Sequence, residues 1–210
     1  ACKKSELKKP VDVNFAFGIE KAAGGSTLKI NSGEIDLANF DVCGTRVKGD
    51  DIAFDRSFDD GLKIDLNGSG EISELDYQIP QGEYTEIELK FELAQKSGEP
   101  TISLDGTYKP TSAPTLGFRF EYYANQEIEI IGENKNGSGN IVLDYKTGKK
   151  VDVILDPVYW FGSLSTNELD NADRTVIQGQ DYILISPTEN TALYSIVAAR
   201  ISMSNSAFFK

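Results

Sequence analysis

The sequence predicts a mainly β fold: an antiparallel β-sandwich of about a dozen short strands, with one C-terminal α-helix packed on it. Three observations lead to this prediction. Apolar and polar residues alternate in one segment after another, and clusters of Gly, Pro, Asn and Ser separate these segments. The alternation gives way to helical spacing only near the C-terminal end.

The strands of the first half follow from these alternating segments in order. VDVNFAFGI, residues 11–19, has an apolar residue at every odd position. In GEIDLANFDVCG the alternation changes phase, which predicts a β-bulge near Ala38–Asn39. DIAFDRSF and LKIDL are predicted as two short strands, joined by a turn at residues 59–61, Asp-Asp-Gly. YTEIELKFEL is the clearest strand, with Ile, Leu and Phe on one face and Glu and Lys on the other.

The second half continues the pattern and contains one candidate boundary. TISLDGTY, LGFRFEYY, QEIEIIG, NIVLDY and KKVDVIL are predicted strands, and NKNGSG at 134–139 is a predicted hairpin turn. KPTSAP at 109–114 could separate two lobes, but it is short for a domain linker. We therefore predict a flexible tether over residues 1–10 and a single domain over 11–210.

The predicted helix lies in ISPTENTALYSIVAARISM. Ser186 and Glu189 fit a capping box, and Pro187 suits the first helical position. About four turns follow, with residues at helical spacing at Leu193, Ile196, Val197, Arg200 and Ile201. SAFFK is predicted to return as an extended segment, and STNELDNAD at 165–173 could add a shorter helix.

The composition limits the kinds of partner and of catalytic or metal site that the chain can have. The net charge of −12 repels the phosphate backbone of nucleic acid, which we exclude as a partner. The chain has no histidine, which removes Ser-His-Asp and Cys-His catalysis and most zinc, copper and iron sites. Carboxylate-pair chemistry, oxygen-ligated metals or no chemistry remain. The many acidic residues sit mostly at outward-facing strand positions, where they are typical of solvated surface.

The first residues predict a lipid anchor. Ala1-Cys2 matches the end of a lipobox, the small residue before cleavage and the cysteine that receives lipid, and a lysine-rich polar tether follows. A free thiol at Cys2 and a Cys2–Cys43 disulfide are the alternatives. Cys43 lies in a strand-like segment and is most simply a small buried apolar residue.

DLNGSGEISELD at 65–76 resembles a calcium-binding loop of the EF-hand type. The first, third, fifth, sixth, eighth and twelfth places are Asp65, Asn67, Ser69, Gly70, Ile72 and Asp76. An EF-hand needs a helix on either side, whereas the flanks here read as strands. We therefore interpret the segment as a hairpin turn and predict no metal site.

VYWFG at 158–162 contains the single tryptophan and the candidate ligand-binding residues. Tyr159 and Trp160 could form a stacking platform for a sugar ring. The alternative, which the preceding Asp-Pro favours, is that Trp160 anchors the core where the strands meet the helical end.

A family resemblance adds to this interpretation. FDDGLKIDLNGSGEISELDYQIPQGEYTEIELKFEL resembles uncharacterised secreted lipoproteins of Bacteroidetes, whose "LDIPAG-Y-x-I-x-L"-like element is matched by LDYQIPQGEYTEIEL. The stretch from VILDPVYWF through ISPTENTALYSIVAARI also looks like that group. The resemblance implies a β-sandwich behind a lipidated cysteine, matched at Cys2, and it implies no reaction.

We therefore predict a non-enzymatic cell-envelope lipoprotein that is anchored in the outer membrane and faces the periplasm or the cell surface. It would be a binding or assembly component, with a glycan or an envelope protein as partner and no cofactor. Fimbrial subunits of the same bacteria are also lipoprotein-derived sandwiches, so a fimbrial or adhesin-like structural subunit is the alternative. A carboxylate-based glycan hydrolase is the third hypothesis.

Overall fold

The structure, a computed structural model, describes residues 7–22, 25–68, 70–135 and 137–210. Within these ranges it contains thirteen β-strands, a 3₁₀ turn at Ser73–Leu75 and three α-helices. The strands are β1 (Pro10–Ile19), β2 (Leu28–Arg46), β3 (Ile52–Asp65), β4 (Tyr77–Pro80), β5 (Gly82–Leu93), β6 (Ile102–Tyr108), β7 (Leu116–Tyr122), β8 (Glu127–Asn134), β9 (Ile141–Leu143), β10 (Lys149–Leu155), β11 (Arg174–Ile177), β12 (Gln180–Ile185) and β13 (Ser206–Phe209). The helices are α1 (Pro157–Phe161), α2 (Thr166–Asp170) and α3 (Thr191–Ala198).

The strands form one path of hydrogen-bonded neighbours that curls into a half-barrel. Their order is β11-β12-β7-β6-β2-β5-β8-β13-β10-β1-β4, with β3 beside β2 and β9 beside β5. Three pairs are parallel: β1 with β10, β7 with β12, and β8 with β13. The predicted mainly β fold is confirmed. The predicted antiparallel sandwich is not, because the described strands form a mixed sheet that curls into a half-barrel and carries three helices rather than one.

β2 is the long central strand, and its bulge lies where the sequence predicts it. The pairing register of β2 with both β3 and β5 shifts between Leu37 and Asn39. The turn predicted at residues 59–61 is wrong, because β3 runs through them as one strand beside β2. Gly61 has φ +72°, and a Cβ there would lie 2.3 Å from Oδ1 of the buried Asp36. The glycine therefore serves close packing at the bulge rather than a chain reversal.

The hairpin turn predicted at 134–139 is also wrong. β8 and β9 do not pair with each other: both are antiparallel to β5, at Glu88–Glu92 and Gly82–Tyr84 respectively. The segment between them therefore joins two stretches along one edge of β5. KPTSAP at 109–114 joins β6 to β7, which pair with each other over their whole length.

The two halves of the sheet enclose a continuous hydrophobic core that contains two aromatic groups. The first, here called the sheet cluster, comes entirely from strands β1, β2, β4 and β5, and its members are Phe15, Phe17, Phe40, Tyr77 and Phe91. The second, the helix cluster, lies between β7 and helices α1 and α3, and its members are Phe118, Phe120, Tyr122, Phe161 and Tyr194.

Helix α3 exists where the sequence predicts a C-terminal helix, but it is shorter and begins later. It has eight residues and its N-cap is Asn190. Ser186 instead closes the turn before the helix, since its Oγ accepts from the N–H groups of Thr188 and Glu189 at 3.3 and 3.0 Å. Val197 is fully buried, whereas Ile196 is only half-buried. The predicted capping box at Ser186 is therefore wrong, and the buried stripe does not include Ile196.

The extended segment predicted at the end of the chain is strand β13, and it lies inside the sheet. It pairs with β8 on one edge and with β10 on the other. Ala207 and Phe209 are fully buried, and a Cβ at Gly132 would come within 2.5 Å of the Phe209 ring. β13 therefore joins the two halves of the half-barrel.

Candidate functional site

An apolar recess of about 210 Å³ lies between the β1–β2 connection and helices α1 and α2; we call it the helix recess. Its helical wall consists of Pro157, Val158, Phe161, Leu164 and Leu169. Facing them are the apolar residues Ala22, Leu28 and Ile30, with polar groups contributed by Glu20, Ser26, Thr27 and Thr166. Glu20 is the one ionisable residue among these described lining residues.

Local capping interactions hold the helical wall in place. Asp156 Oδ1 accepts from the N–H of Tyr159 at 2.8 Å and so caps α1. Ser165 and Glu168 form a capping box at the start of α2, with the Ser165 N–H donating to Glu168 Oε2 at 2.8 Å. The shorter helix predicted within 165–173 is thereby confirmed.

Tyr159 and Trp160, the predicted ligand-binding residues, occupy different environments. The Trp160 side chain is fully buried, and its Nε1 donates to the carbonyl of Met203 at 3.2 Å, so it offers no ring face to a sugar. Tyr159 is 39% exposed, but the Arg200 guanidinium lies 4.1 Å from its ring centroid. The structure therefore places Trp160 as a core anchor, whereas Tyr159 is exposed and is not among the described residues that line the helix recess.

The calcium-like segment joins β3 to β4, two strands that do not pair with each other. No helix flanks it, and it packs on β1 through the Ile72 N–H, which donates to the Phe15 carbonyl at 3.0 Å. Asp65 Oδ1 accepts from the Asn67 N–H, while Asp76 Oδ1 accepts from Asn14 Nδ2. The interpretation of residues 65–76 as a hairpin turn is therefore wrong. Ser69, the fifth residue of the calcium-like segment, lies outside the described residues.

A second candidate region lies where the N-terminal segment contacts the end of the half-barrel. We call it the tether end and define it as residues 7–9, 46–51, 81–83 and 142–146. Arg46 Nη2 donates to the carbonyls of Leu7 at 2.8 Å and Gln81 at 2.6 Å. Two glycines make room for the guanidinium, because a Cβ at Gly49 or Gly82 would lie 2.8 or 2.9 Å from it.

Sequence reasoning missed Arg46, although a signal was present. In β2 the inward-facing positions Phe40, Val42 and Gly44 recur every second residue, and Arg46 is next in that series. A charged residue at an inward-facing position needs buried partners, and backbone carbonyls supply them here. The alternation of inward and outward positions along β2 would therefore have been enough to identify Arg46 from the sequence.

The acidic side chains are mostly on open strand faces, and two of them, Asp36 and Asp41, have informative surroundings. Asp36 is only 3% exposed, and its Oδ2 accepts from Lys96 Nζ at 2.6 Å. Asp41 faces Asp55 across the β2–β3 pair. Burial, and then the charge of Asp55, raise the pKa of Asp41 above its usual range.

Of the two cysteines considered for lipid attachment or a disulfide, one lies outside the described residues and the other within them. Cys2 lies outside the described residues, so the lipid and disulfide alternatives stay as predictions. Cys43 is half-buried on the outer side of β2, opposite Ala53 and Glu88. Over the described ranges, no three side chains of the Cys, Asp and Glu types group as metal ligands. None of the helices in those ranges is long and apolar enough to cross a membrane.

Comparisons with known proteins found no family model, no curated protein and no solved structure that matches this chain.

Proposed function

We propose that this protein is a non-enzymatic component of the cell envelope, attached to the outer membrane by lipid on Cys2, and that it binds an envelope partner through the helix recess. The observation that carries the binding role is the recess itself, an apolar concave surface edged by hydroxyl groups and open at Val158. The anchor rests on Ala1-Cys2 and on the lysine-rich tether.

The dimensions of the helix recess favour a protein partner over a large glycan. Its volume of about 210 Å³ is below the roughly 300–1,000 Å³ of pockets that enclose a drug-sized ligand. It can take one or two apolar side chains. Because its lining is mostly apolar, burying such side chains would supply the binding free energy.

The binding role is tested with two exposed valines. Val158 lies at the recess and Val176 lies on β11, and they are 44% and 68% exposed. Val158→Asp should abolish recovery of the cross-linked partner from native membranes, whereas Val176→Asp should leave recovery unchanged. Equal recovery by both variants would remove the recess from the proposal.

The anchor is tested separately with the full-length precursor in a host that acylates lipoproteins. The protein should appear in the membrane fraction with a mass that shows acylation, and Cys2→Ser should release it. Membrane association that is the same in the variant would contradict the lipid anchor.

A fimbrial or adhesin-like subunit is the second candidate, and the position of β13 favours keeping it. This four-residue strand lies between β8 and β10, and a seven-residue connection, 199–205, links it to α3. A strand of this kind could be exchanged between subunits. Concentration-dependent polymers of the purified protein would favour this candidate over the recess-binding role.

A further inference from the structure

The N-terminal segment is attached to the body from the first described residue. Besides the Arg46 bond to the Leu7 carbonyl, the Lys9 carbonyl accepts from the Gln81 N–H at 2.8 Å. Leu7 is therefore fixed to the end of the half-barrel where β2 meets the β4–β5 turn.

The distance from this point to the proposed lipid is short. Five residue steps separate Cys2 from Leu7 in the sequence. Even fully extended, they span at most about 18 Å. An acyl group on Cys2 would thus hold the tether end close to the bilayer surface, whatever path residues 3–6 take.

The tether end differs in charge from the rest of the chain. It carries five basic residues, Lys8, Lys9, Arg46, Lys48 and Lys146. Its four acidic residues are Asp50, Asp51, Glu83 and Asp144. Its net charge is therefore +1, within a chain of net charge −12. Most of these acids are engaged locally: Asp51 accepts from the Arg46 N–H, Glu83 from Asn140 and Asp144 from the Lys146 N–H.

Exposed apolar side chains lie among these charges. Val47, Val142 and Tyr145 are 43%, 54% and 44% exposed. The Lys9 ammonium lies 4.3 Å from the centroid of the Tyr145 ring. Lysine beside exposed tyrosine and valine is the combination that suits the headgroup layer of an anionic bilayer.

We propose that the tether end is a membrane-contact face, which rests on the anionic headgroups of the leaflet that holds the lipid. This inference rests on the proposed lipid anchor. Its consequence is a fixed orientation, because the opposite end of the molecule then points away from the membrane. β2 spans 19 residues, from Leu28 at one end to Arg46 at the tether end. The pairing registers from β2 through β6, β7 and β12 place β11 level with Leu28, at the end opposite the tether end.

The test measures the distance of two matched positions from the bilayer. Val142→Cys and Val176→Cys are each made in a Cys43→Ser background and labelled with a fluorophore after acylation at Cys2. The acylated protein is inserted into vesicles of phosphatidylethanolamine and phosphatidylglycerol that contain an acceptor-labelled lipid. Energy transfer from position 142 should exceed transfer from position 176 several-fold.

Two further variants separate geometry from charge. A long Gly/Ser insertion after Lys4 leaves the fold and Cys2 intact but lengthens the tether, and it should reduce the difference between the two positions. The double change Lys48→Glu and Lys146→Glu should lower transfer from position 142 on anionic vesicles and change it little on phosphatidylcholine vesicles.

The outcomes distinguish this inference from the function on which it rests. Absence of the acyl mass and of vesicle association would overturn the lipid anchor and, with it, the membrane-contact face. Acylated, vesicle-bound protein with equal transfer from both positions would overturn the membrane-contact face alone. Transfer from position 142 that does not change when Lys48 and Lys146 are replaced would also overturn the membrane-contact face alone, because the lysines would then make no contact with the headgroups.

Discussion

The sheet cluster and the helix cluster lie in the same core, but they are built in different ways. Every member of the sheet cluster comes from a strand and faces inward because side chains alternate along that strand. In the helix cluster, strand residues such as Phe118 and Phe120 meet Phe161 and Tyr194, which short helices bring to them. The packing of the sheet cluster depends on strand pairing alone. The packing of the helix cluster depends also on where helices α1 and α3 begin and end.

This difference implies that the two clusters respond differently to substitution. The strands around the sheet cluster are hydrogen-bonded on both edges, except at the short β4, so the backbone cannot move to fill a void. Helices α1 and α3 of the other cluster have only five and eight residues, and they reach the rings of β7 through the side chains of Phe161 and Tyr194. We therefore expect the largest losses of stability in the sheet cluster.

The largest effect is expected for Phe40→Ala. Phe40 is fully buried, and its ring lies within 5.0–6.2 Å of the rings of Phe15, Phe17, Phe91 and Tyr77. Removing a buried aromatic ring leaves a cavity and should lower the free energy of unfolding by roughly 3–5 kcal/mol, as measured by urea denaturation. A loss below that of the next substitution would reverse the comparison between the clusters.

The second effect concerns the helical side and compares two neighbours on α3. Val197→Ala removes two methyl groups from a fully buried side chain and should cost roughly 1.5–3 kcal/mol. Ile196→Ala, at a half-buried position, should cost less although it removes more atoms. The same denaturation experiment checks both, and a larger cost at Ile196 would mean that α3 presents a different face to the sheet.

The third effect is expected at the turn before α3. Ser186→Ala removes the acceptor of two backbone N–H groups and should cost about 1 kcal/mol. Ser186→Thr keeps the hydroxyl and serves as the control. An unchanged stability of the alanine variant would show that water can replace the serine hydroxyl at this turn.

The smallest effect appears only at alkaline pH and compares Tyr77 of the sheet cluster with Tyr108 on β6, whose hydroxyl bonds Asp170 of α2. Burial raises the pKa of Tyr77 and of Tyr108 to about 12, from 10.0 in the unfolded chain; the hydrogen bond from Tyr108 to Asp170 acts in the same direction. The unfolded state therefore loses these protons first, so stability is complete below pH 10 and falls as the pH rises towards 12.

Replacing either tyrosine separates the two contributions. Tyr77→Phe and Tyr108→Phe should each make the loss of stability above pH 10 less steep, as followed by urea denaturation at a series of pH values. Tyr145→Phe, at an exposed position, is the control. An alkaline slope that stays unchanged in both variants would contradict the burial of these hydroxyls.

The sequence predicts what depends on alternation. The inward face of β1 and the phase change in β2 follow from residue types alone, because a strand turns successive side chains to opposite faces. The core position of Trp160 is the alternative that the preceding Asp-Pro favours, and the side chain is fully buried. These features need no knowledge of which strands are neighbours.

What it could not predict depends on distant partners. Gly61 resembles a turn residue, but it leaves space for Asp36, which is far away in the sequence. Asn190 begins α3 in a left-handed conformation because its side chain bonds the carbonyls of Asp173 and Leu184. The helix recess likewise forms only when the β1–β2 connection meets α1 and α2, and the recess residues have no signal of their own.

The position of β13 has a consequence for how the molecule acquires its structure. β13 is the last of the described strands in sequence, yet it is the strand that pairs with both β8 and β10. During folding, no strand pairing among the described residues links the two halves of the sheet until residues 206–209 lie between β8 and β10. Contacts between such distant segments slow folding. We therefore expect closure of the half-barrel to be a late step of folding, reached when residues 206–209 pair with both neighbouring strands.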